Sequence, residues 1–212
     1  MEVSIELVKD LRQRTGAGII DCKTALHEAK GDMEAAIEYL RRKGLATAAK
    51  KAGRIATDGM VSSYIHAGGK MGVLVEINCE TDFVAKTEDF QSFVKNIAMH
   101  IAASNPQYIR REEIPPEVWE REKRIYRAQA MEAGKPQKVI DKIVEGKMER
   151  FYSEVCLLEQ TYFKDSDITV KEVLDSMIAK VGENITIRRF ARYQLGEGLQ
   201  SRSQPASSSS AE

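Results

Sequence analysis

The sequence predicts an α+β fold: an amino-terminal three-helix bundle followed by a small antiparallel sheet packed with helices and a helical hairpin. Three observations carry that prediction. Apolar residues between 7 and 40 recur at helical spacing, broken at Gly16-Ala17-Gly18 and again at Gly31. Residues 60–65 and 71–79 alternate around Gly68-Gly69, as two strands of a hairpin do, and 184–195 returns as a third strand. Between them lie long charged stretches with apolar side chains at helical period, split by Gly134-Lys135-Pro136.

In the first unit, Leu7, Val8 and Leu11 form one apolar stripe. Asp21 is placed to cap a second helix with Cys22, Ala25, Leu26 and Ala29 inward. Asp32 is placed to cap a third, with Met33, Ala36, Ile37 and Leu40 inward and Gly44 just past its end. Three helices in residues 1–45 make a ubiquitin-associated-like bundle, an architecture that presents a patch rather than an active site. Its exposed turn is Gly16-Ala17-Gly18-Ile19-Ile20, where glycines allow close backbone approach and the isoleucines offer apolar area. At least one isoleucine is expected to close the bundle's own core.

Residues 46–55 read as a basic linker helix. Arg41, Arg42, Lys43, Lys50, Lys51 and Arg54 occur with no acid between them, but no aromatic is interleaved for stacking on bases. A solvated face turned toward an acidic partner fits better than RNA binding.

Residues 56–198 form the α+β core. In the strand 71–79, Val73, Val75 and Ile77 mark the buried face. The strand runs into Asn78-Cys79-Glu80-Thr81-Asp82-Phe83-Val84-Ala85, a polar, acidic loop carrying one large ring. Either Phe83 plugs the local core with Asp82 as a cap, or something outside the chain receives the ring. Thr87 can cap the next helix, whose Phe90, Phe93, Val94, Ile97, Ala98 and Ile101 face inward. Pro106 and Pro115-Pro116 punctuate the chain before a charged helix at 117–132. The short turn at 134–136 implies an antiparallel partner bearing Val139, Ile140, Ile143 and Val144. Thr169 and Glu172 form a capping-box pattern, Gly182 stops that helix, and Arg188, Arg189 and Arg192 keep the last strand's rim charged. Residues 199–212, rich in serine, are expected to be a disordered tail.

Composition narrows the function. The 212 residues include 32 basic and 32 acidic ones, a net charge of +0, so no overall field gathers nucleic acid. No apolar run approaches the ~20 residues of a membrane-spanning helix, and Met1-Glu2-Val3-Ser4 does not begin a signal peptide. A cytoplasmic address is expected, with no membrane association. Cys22, Cys79 and Cys156 are odd in number and widely spaced, so buried free thiols are expected, with Cys156 at a subunit contact as the alternative. His27, His66 and His100 share no metal-ligand spacing, and neither a phosphate loop nor a nucleophile elbow occurs. We therefore expect no cofactor, no metal and no active-site chemistry of the protein's own.

Several ordered motifs carry a resemblance. The segment containing Thr81-Asp82-Phe83 resembles the signature of elongation factor Ts. So do Leu7-Val8-Lys9-Asp10-Leu11-Arg12 with Thr15-Gly16-Ala17-Gly18 and Asp21-Cys22-Lys23. The blocks Ala48-Ala49-Lys50-Lys51-Ala52-Gly53, His100-Ile101-Ala102-Ala103-Ser104 and Gly182-Glu183-Asn184-Ile185-Thr186-Ile187-Arg188-Arg189 are similar to further family blocks, so nearly everything before the tail is covered. The resemblance implies a guanine nucleotide exchange factor for elongation factor Tu. It implies partner contacts by Arg12, Ile19, Ile20, Thr81, Asp82, Phe83, Val84 and His100. Methionines are common in the family where Ile19 and Ile20 stand, a departure that keeps hydrophobicity but loses flexibility. Only one core repeat is present, as in short family members that form homodimers, so a homodimer through the second domain is expected. The alternative function is a non-catalytic RNA- or protein-binding adaptor built on the amino-terminal bundle.

Overall fold

Capping side chains set where the first helices begin. In the computed structural model, which describes residues 3–199, helix α1 (Ile5–Thr15) starts where the Ser4 hydroxyl accepts the Leu7 N–H, and ends at Gly16 with φ 66°. Helix α2 (Ile19–Glu28) has Gly18 as its N-cap without a side-chain bond. Asp21, expected to cap it, lies inside the first turn instead, where its charge suits the helix dipole and pairs with Lys43 at 2.8 Å. Helix α3 (Met33–Lys51) begins as expected at Asp32, whose carboxylate accepts from the Ala35 N–H. Leu11, Cys22, Ala25, Leu26 and Ala36 fill the bundle's core. Residues 200–212, most of the serine-rich tail, lie outside the described residues.

Gly44 does not end α3. The helix passes through it and through the basic segment to Lys51, and Gly44 is buried. It packs against α8 (Val170–Val181), where a Cβ would meet the Ala179 methyl at an ordinary 3.7 Å. The packing is reinforced by ion pairing of Arg41 with Glu172 and by Lys51 donating to the Gly182 carbonyl. Residues 41–54 thus turn much of their charge onto the chain itself.

Strands β1 (Asp58–Ile65), β2 (Met71–Cys79) and β3 (Ile185–Gln194) form an antiparallel sheet in the order β1-β2-β3. Gly68 and Gly69, at φ 89° and 68°, make the hairpin turn. Val73, Val75, Ile77 and Cys79 point to the core built with α5 (Glu88–Ser104) and α8. Register places Val61, Ile65, Leu74 and Tyr193 on the opposite face, where they are 59%, 64%, 50% and 75% exposed. A bulge between Glu76 and Ile77 gathers Arg188 and Arg189 around the Glu76 carboxylate, each at 2.6 Å. Arg192 does not join that charged rim: its side chain turns inward, donating weakly to the Ala102 carbonyl at 3.4 Å.

The one-turn helix α4 (Asp82–Ala85) precedes α5. The hairpin pairs α6 (Pro116–Glu132) with α7 (Gln137–Val155) around Ala130, Ile140, Val144 and Met148. Arg127 bonds Asp141, and the Trp119 indole donates to the Tyr152 hydroxyl at 2.6 Å, which makes the two helices antiparallel. Arg111 ties the hairpin's base to the core, bonding Glu149 and Glu159 and lying 4.4 Å from the Tyr152 ring centroid. Helix α8 carries the full capping box of Thr169 and Glu172 and stops at Gly182, φ 75°. All three cysteines are buried and free; Cys156 lies inside the chain rather than on its surface, and this burial pushes its thiol up to about 11. Among the described residues no helix is long and apolar enough to cross a membrane.

Candidate functional site

The corner after β2 has its geometry imposed from both sides. Cys79 is fully buried and its thiol donates to the Thr81 carbonyl at 3.2 Å, so the strand's end is anchored in the core. Thr81 is the N-cap of α4, its hydroxyl accepting the Val84 N–H at 3.4 Å. At the other end Thr87 caps α5 through the Phe90 N–H and donates to the Val84 carbonyl at 2.8 Å. One helical turn of this kind has an inside and an outside. Val84 and Ala85, 5% and 7% exposed, face the core. Phe83 therefore faces out and is 80% exposed, with Asp82 beside it pairing with Lys86 at 2.5 Å.

Phe83 is therefore not a local core plug. Val84, implied by the resemblance as a partner contact, has its side chain turned inward by the helical rotation as the anchor of the turn.

The loop before β3 holds the corner. The Glu183 carboxylate accepts from the backbone N–H groups of Glu80 and Thr81, at 3.1 and 3.0 Å, and from the Thr81 hydroxyl at 2.7 Å. Glu80 reciprocates by accepting the Asn184 N–H at 2.6 Å. That bond first, and Arg54 after it, holds the Glu80 carboxyl below its ordinary range. Buried Asn184 donates its amide to the Arg54 carbonyl at 2.7 Å, joining the end of α3 to the same corner. Glu183, Asn184 and Arg54 join this corner from outside the motif that contains Glu80. The signal was available in topology, since the end of one strand and the start of its antiparallel neighbour must lie side by side.

A second exposed patch sits on the bundle. Ile19 and Ile20 are 56% and 80% exposed, so neither closes the core, which Cys22, Ala25 and Leu26 fill instead. Arg12 is exposed nearby in sequence and has no ion-pair partner among the described residues.

His100 is elsewhere. Expected as a partner contact, it is fully buried: its Nδ1 accepts the Phe163 N–H at 3.3 Å, which places the ring proton on Nε2, 2.9 Å from Gln160 Oε1. Burial lowers its pKa, partly offset by the Gln160 bond. His100 therefore acts as a neutral core residue, because Gln160 and Phe163, some 60 positions later, satisfy both ring nitrogens. Among the described residues no cluster of three or more His, Cys, Asp or Glu side chains is arranged to hold a metal ion.

The sequence model of the family described as Elongation factor TS matches residues 44–197. The chain belongs to the elongation factor Ts family. It is 64% identical over 197 residues to the curated elongation factor Ts of Carboxydothermus hydrogenoformans, a match spanning 93% of this chain and 91% of that protein. It is similarly 64% identical to that of Geobacter metallireducens, over 94% and 92% of the two chains. With the elongation factor Ts of Caldanaerobacter subterraneus subsp. tengcongensis it shares 63% identity over 93% of this chain and 99% of the other. The family match takes in α4, the Glu183 loop and all three strands, while the patch at Ile19 and Ile20 lies before its first residue.

Proposed function

We propose that this protein is a guanine nucleotide exchange factor for elongation factor Tu, promoting GDP release during translation elongation. It acts in the cytoplasm by binding, without active-site chemistry or cofactor of its own. The observation that carries the reading is Phe83, a large apolar ring 80% exposed on a turn held by two threonine caps, a buried anchor and a carboxylate. A monomer gains nothing by keeping such a ring in water, and a rigid support makes its later burial more favourable, because little order is lost on binding.

In this reading Phe83 inserts between helices of the partner's nucleotide-binding domain. Asp82, Thr81, Arg12, Ile19 and Ile20 hold that domain in the distorted state. The partner's magnesium is then poorly coordinated and GDP leaves. Reversal by GTP follows, since nucleotide and exchange factor favour different states of one protein. The bundle, residues 1–45, supplies one contact surface and the core, residues 56–198, the other. Helix α3 runs from the bundle into the linker and is locked to α8 of the core, so the two surfaces keep a fixed spacing. The test is GDP release from elongation factor Tu with the protein in substoichiometric amount: multiple turnovers of accelerated release support the reading, and release at the intrinsic rate refutes it.

The same chain is proposed to work as a homodimer. Val61, Ile65, Leu74 and Tyr193 leave one sheet face apolar and uncovered, and a second copy would cover it by isologous contact. Equilibrium sedimentation well above micromolar concentration should give twice the chain mass of 23.8 kDa; a single-chain mass would refute the dimer.

A further inference from the structure

We propose that Glu183 is the positioning residue of the exchange activity, acting on Phe83 through the Thr81 cap; the inference rests on the exchange reading above and deepens it. Helix α4 is four residues long. A single turn does not hold itself, since helix nucleation fixes several residues for one hydrogen bond. Its conformation is therefore imposed by its caps and by the Val84 and Ala85 anchor.

The Thr81 hydroxyl has one proton and two lone pairs. Its proton goes to Glu183 Oε1 at 2.7 Å, which leaves a lone pair directed at the Val84 N–H. Glu183 thereby fixes the rotor on which the cap depends. Its other oxygen accepts the N–H groups of Glu80 and Thr81, the two residues that lead the chain from β2 into the turn. Three donors from one corner converge on one carboxylate, and each bond to a charged acceptor is stronger than its neutral counterpart. Glu80 crosses in the opposite sense to the Asn184 N–H, so the two loops clamp one another.

Among the described residues no other carboxylate reaches the Thr81 hydroxyl. Without Glu183 the cap rotor is free, the N–H groups of Glu80 and Thr81 turn to water, and Phe83 samples orientations that do not fit a partner. Binding weakens by the fraction of time spent in them.

Two readouts test this in the full-length protein. Amide hydrogen exchange at residues 83–86 in the free protein should be faster in Glu183→Ala and close to the unmodified rate in Glu183→Gln, whose amide oxygen still accepts the two N–H groups. Acceleration of GDP release should fall about tenfold in Glu183→Ala. It should fall no further when the same change is made on a Phe83→Ala background, because the residue acts through the ring. Thr81→Val removes both the hydroxyl link to Glu183 and the cap on the Val84 N–H, and should give the same pattern if Glu183→Ala fails to fold. Unchanged amide exchange overturns the inference whatever the partner does, and equal fold-losses on both backgrounds overturn it as well. An unmodified protein that leaves GDP release at its intrinsic rate refutes the exchange reading instead, with the amide exchange still deciding the clamp.

Discussion

Replacing Phe83 by alanine separates the fold from the function. Four-fifths of the residue is in water, 80% by exposed area, so its loss removes little packing from this chain. Substitutions at such sites stay within about 0.5 kcal/mol of the parent's stability. In the proposed complex the ring would move from water to an apolar pocket. Fully burying a phenylalanine contributes roughly 1.5–3 kcal/mol, and most of that remains available because so little of the ring is buried beforehand. A loss of about 2 kcal/mol corresponds to roughly a 30-fold fall in kcat/KM for GDP release. Stopped-flow fluorescence of labelled GDP leaving elongation factor Tu, with a thermal melt of the variant alongside, measures both quantities. The reasoning fails if release is within about twofold of the unmodified rate, and equally if the variant's melting temperature collapses, because the ring would then belong to the core.

Three further outcomes are expected. Gly44→Ala should stabilise the protein by up to about 1 kcal/mol, since helix propensity improves and the added methyl meets Ala179 at an ordinary 3.7 Å; Gly44→Leu should destabilise by about 1–3 kcal/mol in urea unfolding, since the helices must part. Burial lowers the pKa of His100, so the unfolded chain takes up its proton first, and stability should fall as pH drops below about 6.5. Compared with His100→Gln by chemical denaturation at several pH values, the extra slope should be present, at no more than about 1.4 kcal/mol per pH unit. Leu74→Lys, on the open sheet face, should keep the fold but sediment at single-chain mass where the unmodified protein sediments as a dimer.

Short-range signals explain what was legible. The alternation of Val73, Val75 and Ile77, the caps Asp32 and Thr87 and the box of Thr169 with Glu172 are each complete within a few residues, and the structure has them where the pattern put them. Gly44 misled because a glycine after an apolar helical stretch resembles a stop signal, whereas the partner that buries it in mid-helix, Ala179 of α8, lies far along the chain. The burial of His100 was not legible for a similar reason: nothing near it in sequence announces Gln160 and Phe163. At the site, the motif located the exposed ring, but Val84 needed the sense of one helical turn to be placed inside. Glu183 needed the pairing of β2 with β3 to be placed at all.

Paired affinity measurements decide whether this protein and GDP favour opposite states of elongation factor Tu. Titrating the protein into nucleotide-free and into GDP-saturated elongation factor Tu should give much tighter binding to the empty form. The protein should weaken GDP binding by the same factor, as linkage demands. Equal affinity for the two forms would contradict the account, whatever contacts Phe83 makes.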